Sequence, residues 1–166
     1  AKALYMEAGD KSRLSMPTHI MAEATRMLGR LPEATKLYLE SLKFATEAGN
    51  KIMIAVENVN LAAVAIQERR FDDAERHMRH SLQVAWEIRN SYLLPYEFLA
   101  AGQIAVGRGQ WSRAAKLLGA ADGILKACGE QIDPADKKGF DAATAETKKA
   151  YDPKKIEGKW QKYWNT

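Results

Sequence analysis

Three short constellations in this sequence carry residue types that could do chemistry. Gly107-Arg108-Gly109, with Ser112 and Arg113 just beyond, could be a glycine-rich loop whose backbone N–H groups cradle a phosphate. His77 and His80 lie three apart, a spacing at which one helix face can offer two metal ligands. Asp72-Asp73 is a carboxylate pair of the kind general acid–base catalysis uses. None of the three extends into a site. The glycine stretch lacks Gly-Lys-Ser/Thr and follows a helical pattern, whereas phosphate-binding fingerprints follow a strand. The histidines lack a third ligand and read as exposed polar residues on a helix. Asp72 with Glu75 reads as a capping box, and the serines recur at packing positions. We therefore expect no enzyme, no cofactor and no metal.

The elements that would position any site come next. With 46% hydrophobic and 28% charged residues, a chain of 166 residues can bury a core as one domain or a short repeat array. No window approaches the roughly 20 apolar residues of a membrane span, and the start lacks a signal-peptide pattern, so a cytoplasmic protein with no membrane contact is expected. The single cysteine, Cys128, excludes an internal disulfide framework. The net charge of +4 divides into 25 basic and 21 acidic residues spread along the same segments. That is the mark of solvated helix faces, and direct nucleic-acid binding is not expected.

A repeat organises the chain. Residues 30–50, 70–90 and 110–130 keep their chemistry at a shift of 40: Leu31, Phe71 and Trp111 are large, Ala34, Ala74 and Ala114 small, and Tyr38, Met78 and Leu118 large again. Ser41, Ser81 and Ala121 follow as small residues, and the segments close on Gly49-Asn50, Arg89-Asn90 and Gly129-Glu130. Small and large residues alternating at spacings of three and four let two helices approach and interlock. The expected fold is therefore all-α, a right-handed superhelix of antiparallel helical hairpins with C-terminal capping helices. First helices are predicted over 15–29, 52–69 and 92–107, with Ala22, Ala62 and Gly102 as aligned small residues, and second helices over 32–48, 72–88 and 112–128. Pro32 suits a first helical turn, and Gly49 and Gly129 suit left-handed stops. Asp133-Pro134 and Asp152-Pro153 announce two further helices, near 134–150 and 153–164, outside the period. The whole chain, 1–166, then reads as one domain: repeats over 11–50, 51–90 and 91–130, capping helices over 131–166, and residues 1–10 as the end of a preceding repeat. Gly9-Asp10 matches Gly49-Asn50, so the sequence is expected to begin inside a longer array.

The small residues Ala22, Ala34 and Ser41, repeated as Ala62, Ala74 and Ser81 with Tyr38 at an aromatic position, resemble the tetratricopeptide repeat. The period of 40 exceeds that motif's ~34, and Thr18 and Asn58 stand where the motif prefers tryptophan. The longer period and Arg113-Ala114-Ala115-Lys116-Leu117-Leu118-Gly119-Ala120-Ala121-Asp122, followed by Asp133-Pro134 and Trp160, resemble a narrower group. These are the C-terminal arrays of large bacterial ATP-binding regulators, including LuxR-type and AfsR-type transcription factors. The resemblance implies a non-catalytic interaction or sensor segment of a bacterial signalling or transcriptional regulator.

Tetratricopeptide geometry, if carried over, turns a groove lined by the first helices toward a partner. The groove positions are then Met16, His19, Glu23 and Arg26; Val56, Val59, Asn60, Ala63 and Ile66; and Tyr96, Leu99 and Gln103. They lack the lysine and arginine pattern of a carboxylate clamp. Their mixture suits an amphipathic helix of a protein or peptide partner, which could be another domain of the same parent protein. A small-molecule effector filling the groove and self-association into a homo-oligomer are the alternatives. The bland reading is that Val56, Val59 and Leu99 pack against neighbouring helices.

Overall fold

The computed structural model describes residues 13–150, and these form seven α-helices with no strand. They are α1 Ser15–Met27, α2 Leu31–Glu47, α3 Lys51–Gln67, α4 Phe71–Glu87, α5 Leu94–Gly107, α6 Trp111–Ala127 and α7 Pro134–Ala150. The expected end of a preceding repeat (1–10) and the expected helix near 153–164 lie outside the described residues.

Every helix from α1 to α6 stops in the same way. The residue two past its end is left-handed: Gly29, Gly49, Arg69, Arg89, Gly109 and Gly129 all have φ between 53° and 76°. At each stop the next N–H reaches back five residues, as in Asn50 to the Ala45 carbonyl and Gln110 to the Ala105 carbonyl. This double-bonded turn satisfies carbonyls that the helix end would otherwise orphan. Arg69 and Arg89 adopt it without glycine, at the cost of crowding a Cβ against the backbone.

The turn also corrects the expected boundaries. In the α1–α2, α3–α4 and α5–α6 connections, the residue closing the turn is already the N-cap of the next helix. The carbonyls of Arg30, Arg70 and Gln110 accept from Ala34, Ala74 and Ala114. Second helices consequently start at Leu31, Phe71 and Trp111, one residue before the expected positions; the first two first helices end at 27 and 67, two residues early, and the third ends at 107 as expected. The Asp72–Glu75 capping box does not form, because Asp72 lies inside the helix. Both carboxylates instead pair with Arg108 of the next hairpin, each at 2.7 Å. The expected start of α5 at 92 moves to Leu94, since Ser91–Leu93 make a turn in which the Asn90 side chain accepts from the Tyr92 N–H at 2.9 Å.

Connections of three residues within a hairpin force its two helices antiparallel. Pairs α1–α2, α3–α4 and α5–α6 are the closest-packed neighbours, and each second helix also packs on the first helix that follows it. The aligned small residues lie where helices cross. Ala22, Ala34, Ala62, Ala74 and Ala114 are fully buried, and a Cβ on Gly102 would come within 2.8 Å of the Leu118 side chain. Capping by Asp133 holds, with its carboxylate accepting from Ala135 N–H at 2.8 Å. Helix α7, expected outside the period, packs on both α5 and α6, as α5 packs on α3 and α4. Its Ala143 joins the cluster of Leu99, Leu118 and Ala121.

Candidate interaction face

Each hairpin is joined to the next by a buried serine–glutamate contact. Ser41 Oγ of α2 donates to Glu57 Oε1 of α3 at 2.5 Å, and Ser81 Oγ of α4 donates to Glu97 Oε1 of α5 at 2.9 Å. Both glutamates sit in apolar helices, and both are at most 3% exposed. The two pairs are related by the same shift of 40. Sequence reasoning assigned the serines to packing and missed the glutamates. A search for polar residues recurring at the repeat period inside apolar runs would have found them.

The first pair has a third member. His19 of α1 approaches Glu57 Oε1 through Nδ1 at 3.1 Å. Burial pulls the imidazole pKa down, but the hydrogen bond and charge of Glu57 outweigh it, so the pKa lies above the ordinary histidine value. Serine, histidine and glutamate thus meet, but in the wrong order for acyl transfer. Ser41 is fully buried, and its hydroxyl donates to the Glu57 carboxylate, with the Ser15 carbonyl oxygen also 2.8 Å away, while His19 bonds the carboxylate and not the hydroxyl. Among the described residues Glu97 has only the serine. Burial raises its carboxyl pKa, and the Ser81 hydrogen bond offsets this only in part.

A second polar cluster ties the two ends of the described array together. Arg26 of α1, 3% exposed, places Nη1 2.7 Å from Asp136 Oδ1 of α7, a residue 110 positions away. Its Nη2 lies 3.3 Å from Glu23, whose carboxylate also accepts from the Tyr38 hydroxyl at 2.9 Å. Burial raises the Asp136 carboxyl against the pull of the permanently charged Arg26. The Tyr96 phenol lies near the same charges: burial first, then Tyr92, Asp133 and Asp136, push it up to about 12.

The expected groove residues divide accordingly. Arg26, Val59, Asn60 and Leu99 are buried, Leu99 in the cluster that includes Ala143 of α7. Val56 and Ile66 are half-buried, packed against clusters that hold Val84 of α4 and Ala74 of α4 respectively. His19, Glu23, Ala63, Tyr96 and Gln103 are also half-buried, and Met16 is exposed. Gln103 faces α7 closely, since a Cβ on Gly139 would fall 2.6 Å from its amide nitrogen. The structure brings Glu23 and Arg26 together, and leaves Met16 outside both polar clusters.

The other candidates from the sequence are accounted for by packing and charge pairing. His77 Nδ1 lies 3.0 Å from Asn58 Oδ1, while the Asn58 amide donates to the Ile54 carbonyl oxygen. Burial, then Arg76, lower the His77 pKa and keep the ring neutral. His80 is exposed, and among the described residues no three His, Cys, Asp or Glu side chains gather around a metal-sized space. A surface depression of about 340 Å³ lies where Arg69, Arg70 and Arg108 meet Asp72 and Asp73. Arg70 pairs there with Glu68 and Asp73, and Arg108 with Asp72 and Glu75, so most of its positive charge is already compensated. None of the described helices is long and apolar enough to cross a membrane. No family model, curated protein or solved structure matches this chain.

Proposed function

We propose that this chain is a non-catalytic protein-interaction module, a right-handed tetratricopeptide-like superhelix whose first helices receive a protein or peptide partner. In line with the resemblance carried by residues 113–122, it serves as the interaction segment of a bacterial signalling or transcriptional regulator in the cytoplasm. The observation behind this reading is the repetition of one junction. Hairpins that end in the same turn and are bonded by the same Ser–Glu contact hold their first helices in a fixed register. A face held this way is already formed, so a partner loses little to ordering it. On that face the half-exposed His19, Glu23, Tyr96 and Gln103 supply mixed polar and aromatic chemistry beside Val56, Ala63 and Ile66.

A peptide display library selected against the full chain tests the reading. Selected peptides should bind at least tenfold more weakly to Tyr96→Ala and Gln103→Ala, which remove half-exposed contacts without opening the core. Val59 and Leu99 are unsuitable probes because they are buried. The reading fails if selected peptides ignore both substitutions. It also fails if no peptide is selected while one metabolite raises Tm by several degrees, which would favour an effector-binding role.

A further inference from the structure

Helix α7 lies on residues that the first-helix face would offer a partner. Leu99 of α5 is buried in the cluster that holds Ala143 of α7, a Cβ on Gly139 would meet the Gln103 amide nitrogen at 2.6 Å, and Arg26 of α1 places Nη1 2.7 Å from Asp136. One helix thus reaches the first helices of both the first and the third hairpin. Its seat is small in apolar contact. Beside the half-buried Phe140, α7 buries Ala143 and Thr147, where α3 buries Val59, Leu61 and Val64 and α5 buries Leu99, Ile104 and Val106. The seat also strands polar groups. Arg26 Nε, on the side chain that holds Asp136, and Thr144 Oγ1 of α7 itself are buried with no hydrogen-bond partner among the described residues. A buried donor without an acceptor disfavours the docked arrangement relative to one in which water reaches it. The Asp136 carboxyl is drawn toward ionisation by Arg26, yet burial outweighs that pull and raises its pKa, so the attraction offsets only part of the desolvation.

We propose that α7 is a releasable, autoinhibitory cover of the first-helix face, clasped to α1 by Arg26 and Asp136. Docked, it lies over Leu99 and Gln103 and occupies Arg26; released, it opens all three. This rests on the partner reading above and adds its regulation. A partner that binds the open form alone has to displace α7, and its apparent affinity falls by the fraction of molecules in which the face is open. The clasp controls that fraction, because α7 is anchored at two separate places: Asp136 near its start holds α1, and Ala143 in its middle holds the Leu99 cluster. Loss of either anchor leaves the other to hold the helix by itself.

Thiol labelling of the full chain measures the opening without any partner. Cys128, which is exposed, is replaced by serine, and a single thiol is placed under α7 as Leu99→Cys or, as a reference away from it, in α3 as Ala62→Cys; both sites are buried. Leu99→Cys should label at least tenfold faster than Ala62→Cys, since it needs only local opening. Asp136→Arg sets two guanidinium groups against each other and should raise the Leu99→Cys rate at least a further tenfold, leaving Ala62→Cys within threefold. Should that variant fail to fold, Ala143→Asp, which puts a carboxylate into the Leu99 cluster, makes the same test at the other anchor. The proposal is overturned if the two thiols label at one rate in the otherwise unaltered chain, or if neither substitution speeds Leu99→Cys selectively. Peptides selected on the first-helix face should bind at least tenfold more tightly to Asp136→Arg. Unchanged affinity would overturn the cover and leave the partner reading standing, whereas selective labelling with no peptide selected would overturn the partner reading and leave the release of α7 standing.

Discussion

The Glu57 and Glu97 junctions occupy the same place in successive repeats yet solve the burial of a carboxyl group differently. Glu57 has Ser41 and His19 to bond; among the described residues Glu97 has Ser81 alone. The position of His19 is taken forty residues later by Val59. A buried carboxylate without a cation is costly, and the group responds by holding its proton more tightly. The first junction thus gains a third member in His19, and the α4–α5 junction is held by a carboxyl whose protonation burial favours. One architecture tolerates both, since the serine and glutamate supply the geometry and only the third residue differs.

The largest way to break this comparison is Glu57→Ala, which strands the His19 ring beside a cavity and leaves the Ser41 hydroxyl with the Ser15 carbonyl alone. A loss of about 3 kcal/mol is expected in urea unfolding of the full chain. Next comes Glu57→Gln against Glu97→Gln. The first removes a carboxylate oxygen shared by Ser41 and His19 and should cost about 2 kcal/mol, whereas the second alters a carboxyl group bonded to Ser81 and should cost less, about 0.5 kcal/mol. Equal costs for the two would show that His19 adds nothing to the Glu57 junction. Ser81→Ala should then cost about 1 kcal/mol, and Ser41→Ala somewhat more, since Ser41 also lies against the Ser15 carbonyl.

The pH dependence is the smallest effect and the most diagnostic. His19 has a raised folded pKa, so its contribution is fully present below the unfolded value of about 6.5 and is lost as pH rises through the folded pKa. Glu97 is also raised, and the folded state therefore favours its protonated form. Stability from this group declines as pH climbs from the unfolded value near 4.5 through the folded one. Thermal melts across pH 4 to 8 should lose the upper slope in His19→Val, which copies the next repeat into the first, and the lower slope in Glu97→Gln. Retention of the upper slope in His19→Val would assign it to another group.

Arg89→Gly sharpens a related contrast among the turns. Arg89 is exposed and left-handed at a position where the first and third repeats have Gly49 and Gly129, so glycine there should stabilise by about 1 kcal/mol. Calorimetry showing no gain would mean that the arginine side chain offsets its backbone strain.

Much of this molecule is written locally. The helix faces follow from apolar residues at three and four, and the stops follow from turns closed within six residues, which is why even Arg69 takes the glycine conformation of its equivalents. The period of 40 foretold that Ala34 and Ala74 would share an environment. It did not disclose what that period does with charge: Glu57 and Glu97 look like surface residues in sequence, and their burial depends on a neighbouring helix arriving on that side. Local turn chemistry also misled at Asp72, because the helix starts one residue earlier and leaves Asp72 inside it, free to pair with Arg108, 36 residues away. The Arg26–Asp136 pair lies further still from anything a short-range pattern records. Spacing within one helix is a property of the chain, whereas the meeting of α1 with α7 depends on how each hairpin is rotated on the last. That rotation is set by side chains packed between helices, and only the tertiary structure decided it.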